Sequence, residues 1–103
     1  MKEENVRQVR ALLKTANKAW NYSYESLERL YFKPLLSDSD KGYSFFIRRR
    51  LKEIKALLVN FDSVIGNEEV IPSLLEKNLC KRLTILIEEM KKISLSLDDI
   101  YLK

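Results

Sequence analysis

Residues 75–100, LEKNLCKRLTILIEEMKKISLSLDDI, decide the fold. Leu75, Leu79, Leu83, Leu86, Met90, Ile93, Leu97 and Ile100 recur at steps of three and four residues without a break. That is the period of one face of an α-helix, and alternation with period two is absent. Pro72 lies just upstream and suits the first turn of such a helix, where its missing N–H costs nothing. Moving toward the N-terminus, Tyr43, Ile47, Leu51, Ile54, Leu58, Phe61 and Ile65 form a second seam at the same spacing. Gly66 follows directly and reads as a helix stop. Asn67-Glu68-Glu69 makes a short connection to the last helix.

A third seam runs through Val6, Val9, Leu13, Ala16, Trp20, Leu27 and Leu30, with Ser23 in its one polar slot. It stops at Lys33-Pro34, because a residue before proline is pushed out of helical geometry. Asn21 or Ser23 could act as an N-cap and divide this helix in two, giving four helices rather than three. Ser37-Asp38-Ser39-Asp40-Lys41-Gly42, rich in capping and turn residues, reads as a loop. Helices of about 26–30 residues would be about 40–45 Å long at 1.5 Å per residue. Joined by short connections, they predict an all-α, elongated, antiparallel helical bundle.

With 103 residues and 12.2 kDa, the chain fits a single helical-bundle domain spanning residues 1–103. Its two glycines and two prolines are too few to punctuate a sandwich or barrel. One cysteine, Cys80, permits no intrachain disulfide and points to a reducing compartment. No apolar run approaches the roughly 20 residues of a membrane span, and no secretory signal is visible. The expected location is the cytoplasm, with no transmembrane segment.

The chain contains no histidine, which removes Ser–His and Cys–His dyads, imidazole metal sites and a histidine pH switch. Cys80 is flanked by Lys81 and Arg82, which could lower a thiol pKa, but it lies mid-helix beside the seam residue Leu79 and reads as structural. Glu25 and Glu28 share a helix face, yet bundle metal sites normally add a Glu-x-x-His pattern, which this chain lacks. Glu88-Glu89 and Asp98-Asp99 read as solvated faces. No phosphate loop or nucleophile elbow is present. The expectation is therefore no enzyme, no metal and no cofactor.

Charge placement is more informative. Residues 1–60 carry 13 Lys and Arg against 7 Asp and Glu, whereas residues 61–103 carry 6 against 8. On the first helix Arg7, Arg10, Lys14 and Lys18 cluster away from the seam at 100° per residue. On the second, Lys41, Arg48, Lys52 and Lys55 form an outward stripe that also carries Phe45, with Arg49 beside it. Arg50 points nearer the apolar flank, where it would snorkel or pair at a helix contact. Nine of the ten aromatic residues lie between Trp20 and Phe61, and of these only Tyr22 and Phe45 are expected to project away from the seams. Cationic side chains release counterions from a phosphate backbone, and exposed rings stack on bases. Arg7, Arg10, Lys14, Lys18, Lys41, Phe45, Arg48, Arg49, Lys52 and Lys55 are thus the candidate nucleic-acid contacts, although the same cations suit an anionic membrane, an acidic protein surface or a solvated face that keeps the chain soluble. Leu95 and Leu102 project nearly opposite the last seam, where an apolar strip suits a partner, either a second copy or another subunit.

In architecture, a basic helical bundle of about this size resembles the small helical subunits of CRISPR effector complexes. It also resembles the bacteriocin immunity proteins of Gram-positive bacteria. Phe46-Ile47-Arg48-Arg49-Arg50-Leu51-Lys52-Glu53-Ile54 is similar to a basic helix of GINS replication subunits. The first resemblance implies a non-enzymatic subunit contacting nucleic-acid backbone, with low sequence specificity, inside a larger assembly. The second implies a protein-binding module acting near the cytoplasmic membrane face. No residue role is carried over from any of them.

Overall fold

Three seams at helical spacing become three helices. The computed structural model describes residues 2–66, 68 and 70–103, which form α1 (Lys2–Arg29), α2 (Asp38–Ile65) and α3 (Ser73–Leu102). A single 3-10 turn, Leu30–Phe32, extends α1. No strand occurs among the described residues. α1 runs unbroken through Asn21 and Ser23, so the bundle has three helices and not four. Lys33 is extended at φ −82° and ψ 119°, as the following Pro34 requires.

Two boundaries differ from expectation. The stretch 37–42 is not a loop: Ser37 is the N-cap of α2, its hydroxyl accepting from the Asp40 N–H at 3.1 Å. Asp38 and Asp40 then sit in the first turn, where carboxylates favour the positive helix end. Capping residues signal a helix start as strongly as a loop, and here they make one. Pro72 falls at the N-cap of α3 rather than within its first turn. Gly66 ends α2 at φ +47°, a conformation that side chains rarely adopt. Asn67 and Glu69 of the expected connection lie outside the described residues.

Side-chain contacts give the topology. Trp20 meets Leu51 and Arg10 reaches Gly66, so α1 and α2 are antiparallel. Ser23 meets Met90 and Arg29 meets Asp98, so α1 and α3 run parallel. The resulting up-down-up rod measures 53 × 19 × 18 Å. Every seam residue enters one shared core, with Trp20, Tyr43 and Leu75 half-buried at its edges.

α1 and α3 approach each other most closely. The reason lies in side-chain size: α1 buries Ala16, Ser23 and Ser26, and Ala19 is half-buried beside them. Ser23 Oγ, wholly buried, lies 2.8 Å from Ser94 Oγ and donates to the Met90 carbonyl at 3.2 Å. α2 instead inserts Ile47, Leu51, Ile54, Leu58 and Phe61, which hold its axis farther from the others. Its seat on α1 is fixed by Trp20 Nε1, which donates to the Leu51 carbonyl at 2.7 Å.

Leu83 is fully buried at the centre of α3. Leu83→Ala should therefore cost about 2–5 kcal/mol in chemical denaturation. Leu95→Ala, on the exposed side of the same helix, should stay within about 0.5 kcal/mol.

Candidate nucleic-acid interface

Arg48 and Lys55 on α2, and Arg10 and Lys14 on α1, border the shoulder where α1 meets α2. On α2 the Arg48 guanidinium lies 4.8 Å above the Tyr31 ring, and Lys55 Nζ lies 4.8 Å above the Trp20 ring. Trp20 in turn stacks on Tyr24, centroid to centroid 5.1 Å. Both cations are half-buried against α1, which corrects the expectation that they project straight outward. A helix flank at this angle places a long side chain over its neighbour, and aromatic faces attract the charge. Lys41, Arg49 and Lys52 are exposed, as are Arg7, Lys14 and Lys18 on α1.

Arg10 has a task of its own. Its guanidinium donates to the carbonyls of Gly66 at 3.1 Å and Glu68 at 2.9 Å, where α2 ends. These contacts tie the connection after α2 to α1 and set a cation near the negative end of the helix. Nearby Lys14, Asn17 and Asp62 line a shallow depression between α1 and α2.

The ion pairs among the described residues lie elsewhere. Arg29 pairs with Asp98, Lys91 with Glu88 and Lys103 with Asp40. Arg50 binds Glu89 across the α2–α3 contact through two hydrogen bonds, 2.5 Å and 2.7 Å, and also reaches Glu53 at 3.1 Å. That is the pairing expected of the one arginine on the apolar flank. None of the nine cations proposed from sequence pairs with a described carboxylate.

The surface carries more aromatic area than expected. Tyr31, Phe32 and Phe46 join Tyr22 and Phe45 among the exposed rings. Tyr31 and Phe32 follow the end of α1, where the 3-10 turn changes the angular step. Phe46 stands one residue off the seam, about 100° around the helix. Leu27, Leu30, Tyr31, Leu36, Phe45 and Arg48 help line a cleft of about 260 Å³ at this end of the bundle. Leu95 and Leu102 are exposed on α3, and Leu95 borders a groove with Tyr22, Met90 and Asp98.

Burial and a hydrogen bond to the Glu76 carboxylate push the Cys80 thiol up to about 11, the reverse of the lowering its basic neighbours could produce. No group of three or more metal-ligating side chains is found among the described residues. No helix there is long and apolar enough to cross a membrane. No known family model, curated protein or solved structure matches the chain.

The hydrogen bonds from Arg50 hold Glu89 below the usual carboxylate range, against an opposing desolvation effect. A carboxyl lowered in the folded state stabilises the fold above its unfolded pKa of about 4.3 and loses that contribution as pH falls through the folded value. Glu89→Gln should cost about 1 kcal/mol near neutral pH, given the partial exposure of the pair. Urea denaturation should show this gap narrowing below about pH 4.3. A gap independent of pH would mean that the ion pair does not stabilise the fold.

Proposed function

We propose that this protein is a non-enzymatic, cofactor-free, cytoplasmic helical subunit that contacts nucleic-acid backbone within a larger assembly. One observation carries the reading: the α1–α2 shoulder presents cations without carboxylate partners among the described residues, interleaved with aromatic rings. A surface that merely keeps a protein soluble mixes both signs of charge, as α3 does in its Lys91–Glu88 pair, whereas Asp62, the acid lining the shoulder beside Lys14, forms no ion pair among the described residues. Phosphates arrayed along a strand would supply counter-charges to these cations. The rod is long enough for such contacts to repeat along its length, since its major extent is 53 Å. Exposed Leu95 and Leu102 on α3 leave a separate face for neighbouring subunits or a second copy.

Binding should show little sequence preference, and log affinity should fall linearly with log salt. Lys41, Arg49 and Lys52 make the clean test, because they are exposed and support no ring. Their joint replacement by Glu should weaken oligonucleotide binding and flatten the salt slope by about 2 for single strands. Lys77, Lys81 and Lys92 on α3, also exposed, should matter less when changed in the same way. Equal losses from both sets would show that only bulk charge counts. An absence of oligonucleotide binding at low salt would overturn the proposal and favour the alternative, a protein-binding module of the immunity or inhibitor kind acting near the cytoplasmic membrane face.

A further inference from the structure

Resting on that reading, we infer that the preferred nucleic acid is single-stranded, and that the cleft at the α1–α2 turn receives one unpaired base. Leu27 and Leu30 give the cleft an apolar floor, and both are almost wholly buried. Its rim carries two exposed rings, Tyr31 at 65% and Phe45 at 70% exposure. Lys33, Lys41 and Arg48 add three cations to the lining, which contains no carboxylate. Asp40, the nearby acid, pairs with Lys103 at 3.8 Å.

These features combine flat apolar faces with positive charge, the two demands of a stacked base and its flanking phosphates. Arg48 already lies over Tyr31, so its guanidinium plane can cover a ring or meet a phosphate from one position. Size narrows the occupant further. At about 260 Å³ the cleft falls below the roughly 300–1,000 Å³ of pockets that engulf drug-sized ligands. A single planar ring system suits it better than a bulky or extended apolar ligand. Bases inside a duplex are stacked on one another and cannot present a face to Phe45, whereas an unpaired base can.

The test compares three probes by fluorescence anisotropy: an oligothymidylate, an abasic sugar-phosphate strand of equal length, and a duplex. The intact protein should bind the oligothymidylate most tightly. Phe45→Ala should weaken that complex roughly 5- to 150-fold, the range for loss of one stacked base. The abasic complex and the salt slope should not change, because no phosphate contact is removed. Tyr31→Ala should reproduce the base-dependent loss. Phe46→Ala should not, since Phe46 is exposed but does not line the cleft. Circular dichroism checks that each variant remains helical. Equal affinity for all three probes, or equal losses on base-bearing and abasic strands, would overturn the base cleft and leave backbone binding standing. Failure to bind any probe would overturn both.

Discussion

The contact between α1 and α3 governs the arrangement of everything else. Small residues along α1 bring the two helices close, and the Ser23–Ser94 hydrogen bond fixes their register inside a core that is otherwise apolar. A buried hydroxyl without a partner would cost about 1–3 kcal/mol, so sliding α3 along α1 is penalised at that point. Parallel helices cannot be joined by a short turn, and α2 must carry the chain back between them. Its large seam residues then set it apart as a ridge, with one flank toward α3 and the other toward α1.

The two flanks of α2 are electrostatically unlike. Toward α3, Arg50 is held by Glu89 and Glu53, and charge is neutralised locally. Toward α1, Arg48 and Lys55 meet aromatic faces instead of carboxylates. A ring orients a cation while leaving its full charge in place. The α1 flank therefore combines fixed geometry with unneutralised charge, which distinguishes it from the solvated lysines of α3.

The helices and their buried faces were legible in the sequence because burial imposes a period of 3.6 residues, and few polar residues interrupt the three seams. Periodicity states which face is covered but not which helix covers it. The closeness of α1 to α3 follows from Ala16, Ala19, Ser23 and Ser26 acting together, and a hydrophobicity pattern scores such residues as weak. Arg10 read as one of four surface cations, because the carbonyls it meets at Gly66 and Glu68 lie 56 and 58 residues away. The end cleft was hidden for a different reason. Tyr31 belongs to a 3-10 turn and Leu36 to the connection, where helical angles do not apply. Only Phe45 and the cations beside it on α2 could be placed from spacing alone.

Trp20 is the only tryptophan, and its indole is the point at which α2 is fastened to α1. Its emission therefore originates at the basic shoulder and nowhere else. Lys55 covers one ring, Tyr24 stacks alongside, and the N–H is committed to a backbone carbonyl. Drawing Lys55 toward an external anion, or prising α2 from α1, alters the polarity and quenching around that indole. The protein carries a built-in optical probe of the surface on which its chemistry is concentrated.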